Sequence, residues 1–464
     1  MQLRIHAVNA TLFSAAARAL KNWRLNTASP AFFELRNAQQ SFYNNRFTAL
    51  PTSWSHFPLG VLDLDDFASS ASAVEHAASW AAPAQRGQCA AKREKEMPTI
   101  GDALRGFATA GFNLFSARSS AGAGTDGTYD LLQSAMSSGA WLVVAPPVDG
   151  VGWDDAMLLR AHEAYFCHPS WAGFVLSETA APATSSNASA AATIADAVRW
   201  ASPYSYTPQL AADFAAVDAL RRSGVPMAAL AVPAVAGLRG LLAELALLRG
   251  LLLTQQAEPP QPGGLMARDA VSGWVAVDAC ATGANESAAS LTFRSWVAIA
   301  YGARGLLFTG AKRCAEEAGL LDALALVGQQ ITGWKGNSVG QFLTTASLVA
   351  LFASSPALVP GAQAPGPGKR VVALGPDLIV AIVHNGGNTS APSALVIDAS
   401  CVGDGGCASS WVRATATFEA IGWGAYVADG DKGFTACAKT VVGGVATITL
   451  APGGGELLLL DTVA

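Results

Sequence analysis

The sequence predicts an α/β protein: a (β/α)8 TIM barrel followed by a C-terminal antiparallel β-sandwich. Three observations carry that reading. From residue 57 onward, short apolar runs alternate with segments of helical period, the pattern of a parallel sheet with crossover helices. Eight such runs fall within a stretch of roughly 250 residues, the size of a closed eight-stranded barrel. Beyond residue 370 the period shortens to two, with little helical pattern, as in antiparallel strands that bury one face.

Residues 1–50, with SAAARALKNW and FFELRNAQQSFY, read as one or two helices packing on the barrel. The barrel is expected over 51–358. Its strands are read in FPLGVLDL (57–64), GFNLFSA (111–117), WLVVAP (141–146), AGFVLSE (172–178), PMAALAV (226–232), GLLLTQ (250–255), GWVAVDA (273–279) and RGLLFTG (304–310). Between them, TIGDALRGFATA, TYDLLQSAMSSG, DDAMLLRAHEAYF, ADFAAVDALRRSG, LRGLLAELALLR and LTFRSWVAIAYGA read as helices. Several end at a glycine able to cap the last turn. The sixth strand is the least regular, because its loop AEPPQPGG leads into no clear helix. The Ala/Ser stretches near 68–94 and 180–200 read as long loops. VPGAQAPGPGKR (359–370) reads as a Pro/Gly linker. Residues 371–464 then form the sandwich, with strands in RVVALG, DLIVAIVHN, ALVIDAS, RATATFEAI, VATITLAP and ELLLLDT.

Composition narrows the function. The chain of 464 residues carries 14% charged and 51% hydrophobic residues, against about 25% charged in ordinary domains. Its net charge of −5 is spread without a basic stripe, so no nucleic-acid partner is expected. The apolar stretch VPMAALAVPAVAGLRGLLAELALLRGLLLT is interrupted by Arg239, Glu244 and Arg249 and reads as a buried strand and helix rather than a transmembrane segment. The N-terminus has early basic residues but no apolar core leading to a small-residue cleavage site. Seven cysteines lack any CxxC or Cys/His spacing, so no metal site is expected. GAGTDGT and GGGE match neither phosphate-binding loop pattern, and no G-x-S-x-G elbow occurs. No organic cofactor is implied.

Cys401 and Cys407 flank the loop VGDGG, which a disulfide can close, and sequons occur at Asn9, Asn187, Asn285 and Asn388. Together they point to an extracellular or secretory-pathway protein. The other reading is that the cysteines are reduced small hydrophobes and the sequons are accidents of composition.

In such barrels chemistry sits at the C-terminal strand ends. Three acidic groups end strands: Asp63, Asp65 and Asp66 after the first, Glu178 after the fourth, and Asp278 near the end of the seventh. The fourth and seventh strands lie across the mouth from each other. Two carboxyls about 5 Å apart can serve as acid/base and nucleophile on a glycosidic bond. Burial and the neighbouring charge keep one of them protonated. Sugar C–H faces stack on aromatic rings, which makes Trp54, Trp153, Trp171, Trp274 and Trp423 candidate platforms; Trp153, in VDGVGWDD, is placed nearest the mouth. Plainer roles compete for all of these residues. Glu178 can be held by backbone or by Arg118, Asp278 can be an internal ion-pair partner or a polar barrel residue, the loop acids can be solvated, most tryptophans must be core, and His168 can cap a helix end.

The segments HFPLG, GFNLF, HPSWAGFVLSE and RSWVAIAYGARGLLF, in that order, resemble the (β/α)8 glycoside hydrolases of the retaining clan that includes β-galactosidases and cellulases. The resemblance covers about residues 57–310, and TLAPGGGELLLL looks like the β domain that often follows these barrels. It implies that Glu178, in the place of the glutamate of D-E-P, is the general acid/base. Asp278 would then be the nucleophile of strand seven, where the clan generally has Glu; Glu286, in the following loop, is the inferior substitute. Ser177 stands where Asp or Asn commonly orients the sugar, and Thr179 stands where Pro is usual. Asp63, Arg118, Trp153, Ser177 and Trp274 are the expected substrate-binding residues. The implied function is hydrolysis of O-glycosidic bonds in a carbohydrate substrate by a retaining two-carboxylate mechanism. The alternative is a catalytically inactive barrel of the same descent that binds carbohydrate or a protein. A barrel enzyme for phosphorylated substrates would need a Gly-rich phosphate site, of which FTGAKR is a faint version.

Overall fold

The computed structural model describes residues 57–62, 64, 67, 70–81, 99–119, 127–145, 157, 160–161, 164–165, 168, 170–177, 209–211, 227–231, 238–257, 271–279, 287–311, 319–332, 339–340, 343, 346–385, 388–402, 406–419, 423–429, 433–436 and 444–462. The barrel strands are β1 (Leu59–Val61), β2 (Leu114–Arg118), β3 (Trp141–Ala145), β4 (Trp171–Ser177), β5 (Gln209–Ala211), β6 (Met227–Ala231), β7 (Val271–Asp278) and β8 (Leu306–Thr309). They are parallel and close in sequence order, β8 pairing back to β1 from Leu59↔Leu306 to Val61↔Phe308. Among the described residues the helices are α1 (Ala71–Ser79), α2 (Ile100–Thr109), α3 (Gly127–Ser138), α4 (Leu238–Ala257), α5 (Ala288–Ala300) and α6 (Leu320–Thr332).

Three expectations are corrected. GLLLTQ (250–255) lies inside α4: its leucines continue a run of strong helix formers, and an apolar run alone does not separate a buried helix from a strand. The run expected as the fifth strand is β6, and the true fifth strand, Gln209–Ala211, has only three residues, too few to show a period. Part of the Ala/Ser stretch 68–94 is helical: Ser70 accepts a bond from the Ala73 N–H and starts α1, and alanine is the best helix former. In DDAMLLRAHEAYF, Met157, Arg160, Ala161, Ala164 and Tyr165 are helical. The expected N-terminal helices (1–50), the loop 180–200 and the helix 212–224 lie outside the described residues.

Side-chain alternation divides the barrel strands into two sets. Leu62, Leu114, Trp141, Val143, Ala145, Ala172, Val175, Trp274, Ala276 and Leu307 form the inner cluster. Their strand neighbours, among them Phe115, Val144, Phe174, Val275 and Phe308, belong to the larger core shared with the helices. Among the described helices, α1 and α2 come into close contact. The α2 end is fixed by a capping box, Thr99 Oγ1 accepting from Asp102 N while the Asp102 carboxylate accepts from Thr99 N. At Gly106 an added Cβ would lie 1.7 Å from the Ala77 carbonyl oxygen. Gly106→Ala must therefore push the helices apart. We expect it to cost about 3 kcal/mol, the upper end of ordinary overpacking, read as a lower denaturant midpoint at unchanged slope.

The C-terminal strands are β9 (Ala346–Ala353), β10 (Val371–Leu374), β11 (Leu378–Asn385), β12 (Asn388–Asp398), β13 (Val412–Phe418), β14 (Trp423–Asp429), β15 (Gly433–Ala436), β16 (Val445–Leu450) and β17 (Gly455–Thr462). They build a six-stranded sheet, β15-β14-β17-β12-β11-β9, and a three-stranded sheet, β10-β13-β16. Phe352, Val380, Ile382, Val396 and Leu458 of the first meet Ala414, Phe418, Ile448 and Leu450 of the second in one sandwich core. The sandwich thus begins earlier than residue 371: β9 pairs with β11 along its whole length. The Pro/Gly stretch 359–370 is a connection within the sandwich, between β9 and β10. Its start is held to the barrel, with the Tyr301 hydroxyl donating to the Pro360 carbonyl at 2.6 Å and Arg249 Nη1 to the Gly361 carbonyl at 3.0 Å. Burial pushes the Tyr301 hydroxyl pKa up, so it stays a donor.

Candidate active site

Period-two alternation carries the inner face to the C-terminal strand ends. On β7 it runs Trp274, Ala276, Asp278; on β8, Leu307, Thr309; on β2, Leu114, Ser116, Arg118. Asp278 is the last residue of β7, is half-buried, and stands in register with Thr309. Arg118 is the last residue of β2, in register with Ala145. Two bonds fix its strand end: Thr128 Oγ1 donates to the Arg118 carbonyl at 2.7 Å, and Ser119 N donates to the Ala145 carbonyl at 2.9 Å. One layer deeper, Ser116 is buried and its Oγ has no hydrogen-bond partner among the described residues. Ser116 and Thr309 were not expected at the site, and inner-face parity is the signal that marks them.

Of the expected catalytic pair, the structure places Asp278 at the mouth. Glu178 follows directly on Ser177, which closes β4 opposite Ala211 of β5, but Glu178 itself lies outside the described residues. So do Asp63, Asp65, Asp66, Trp54, Trp153, Thr179 and Glu286.

Trp274 is corrected. It is fully buried in the inner cluster, its ring against Gly305, where a Cβ would come within 2.9 Å of the indole. With no exposed face it is no sugar platform. Trp171 is likewise core, edge-on to Phe174 at 5.2 Å between ring centroids.

His168 precedes β4 and so sits at the end of the barrel away from the mouth. Its Nδ1 accepts from Ser170 N at 3.2 Å, which leaves the neutral ring's proton on Nε2, and Tyr129 packs edge-on at 5.3 Å. Burial lowers its pKa to about 4. A histidine depressed in the folded state stabilises the fold above its unfolded pKa of about 6.5 and withdraws that stability as pH falls toward 4. By linkage the loss approaches about 3 kcal/mol. His168→Asn, which can keep an acceptor toward Ser170 N, should flatten the pH-stability profile between pH 6.5 and 4.

Cys401 and Cys407 form a disulfide. Among the described residues no cluster of His, Cys, Asp and Glu could hold a metal ion, and no helix is long and apolar enough to cross a membrane.

No family model matches the chain, and no curated protein does. Solved structures similar to it include a glycoside hydrolase family 30 subfamily 8 xylanase from Clostridium acetobutylicum, at 9% identity and TM-score 0.44, covering 88% of this chain and 96% of that one. A GH51 arabinofuranosidase from Xanthomonas axonopodis pv. citri is similar at 10% identity and TM-score 0.38, over 81% of this chain and 92% of that one. An alpha-galactosidase from Saccharomyces cerevisiae is similar at 10% identity and TM-score 0.38, over 89% of this chain and 100% of that one.

Proposed function

We propose that the chain is a divergent glycoside hydrolase-like protein that cleaves O-glycosidic bonds by a retaining mechanism, with Glu178 as acid/base and Asp278 as nucleophile. The observation that supports it most is the position of Asp278: the last residue of β7, in line with Trp274 and Ala276 on the inner face, across a closed barrel from the strand that leads into Glu178. In this reading Glu178 protonates the leaving oxygen while Asp278 attacks the anomeric carbon. Water then releases the glycosyl-enzyme with Glu178 as base. The pair must stand about 5–5.5 Å apart, so the shorter aspartate requires the sugar to sit deep in the mouth. Arg118, Ser177, Asp63 and Trp153 are the proposed sugar contacts. The Cys401–Cys407 disulfide favours an oxidising, extracellular or secretory compartment.

A second reading is a barrel that binds carbohydrate without cleaving it. Ser177 and Thr179, on either side of Glu178, favour it, since both depart from the pattern the acid/base usually sits in. A panel of aryl glycosides separates the two. Turnover with retained anomeric configuration, followed by proton NMR, supports the hydrolase. No turnover together with saturable glycan binding supports the second reading.

A further inference from the structure

We infer that the Cys401–Cys407 disulfide is a redox-sensitive brace that holds the first turn of α5 against the sandwich. Cys401 is buried in the core shared by barrel and sandwich, its Sγ 3.9 Å from the Ala289 carbonyl oxygen at the start of α5. The turn that carries it, Ser400–Val402, is pinned by the fully buried Asp398. That carboxylate accepts from Ser400 N at 3.1 Å, Ser400 Oγ at 2.9 Å and Gly453 N at 2.8 Å. Ser400 Oγ in turn accepts from Ala408 N at 2.8 Å, so both ends of the disulfide loop are tied to one carboxylate. The same Gly453 lies against α5: a Cβ there would come 2.1 Å from the Ala289 carbonyl oxygen. Next to it, Gly455 packs on the Trp296 ring of α5. Two arms of the sandwich therefore converge on one turn of α5, the Ala289 turn.

Cys407 is partly exposed while Cys401 is buried, so a thiol from solvent meets the Cys407 side of the bond. A small dithiol supplies two electrons and two protons. Its first thiolate displaces Cys401 from Cys407, its second closes the reductant's own disulfide, and both cysteines are left as thiols. Opening a loop of this length relaxes a chain constraint worth a factor of about 40 in the folding equilibrium. The buried turn under α5 is then free to separate from it. The brace does not depend on the function proposed above.

Hydrogen exchange of the full chain, with and without dithiothreitol, tests the brace without any substrate. Reduction should speed amide exchange about tenfold or more in peptides covering 398–408, 453–455 and the first turn of α5, with α2 and α3 unchanged. The Cys401→Ser/Cys407→Ser variant should show the faster exchange already and no further response to dithiothreitol. Faster exchange confined to 400–408 would overturn the brace, as would a uniform rise over the whole chain. Alkylation of Cys401 and Cys407 without prior reduction would overturn it as well.

Discussion

Asp278→Asn should lower kcat/KM for an aryl β-glycoside on the order of 10³-fold or more, about 4 kcal/mol of transition-state stabilisation, with the fold intact. The amide keeps the shape and hydrogen-bonding reach of the carboxylate but loses the oxygen proposed to attack. Its place is suited to that role: the last residue of β7, on the inner face, half-buried and paired with Thr309. A purely structural carboxylate at the same point would change stability and leave the rate of folded protein near its original value. Asp278→Gly with added azide sharpens the distinction. An exogenous anion attacking from the vacated side should restore turnover and give a glycosyl azide of inverted configuration, which a positioning role cannot produce.

Asp398→Ala should destabilise the sandwich by about 4 kcal/mol. It is fully buried and accepts from two backbone N–H groups and one hydroxyl. Truncation strands all three donors, each worth about 1–2 kcal/mol when left unsatisfied away from water. Asp398→Asn keeps one acceptor oxygen and should cost less than half as much. Urea titrations of the two variants, with the disulfide intact in both, check the ordering. Equal losses would mean that packing rather than hydrogen bonding sets the role of the residue.

The barrel was legible where an apolar run is bounded by turns. β3, β4, β7 and β8 lie within a residue or two of the runs 141–146, 172–178, 273–279 and 304–310, and β2 within three of 111–117. It failed where length or composition removes the signal, as in the three-residue β5 and the leucine-rich 250–255 within α4. β9 was missed because the Pro/Gly stretch after it looked like the domain boundary, whereas pairing with β11 puts it in the sandwich. At the site, Asp278 was visible as a charge ending an apolar run. Trp274 misled because sequence position says nothing of depth: four residues before the strand end is about 13 Å down the barrel, well into the inner cluster. Ser116 and Thr309 carry no motif, and only closure of the barrel turns their parity into a common inner face.

The most direct test of the central claim compares the protein with its Glu178→Gln variant on aryl β-glycosides of graded leaving-group acidity. If Glu178 is the general acid, the variant should lose about 10²–10⁴-fold on poor leaving groups and retain much of its rate on those that depart without protonation. Equal loss across the series, or equal turnover by both proteins, would contradict it. Absence of turnover in both, with glycan binding preserved, would make the barrel mouth a recognition surface.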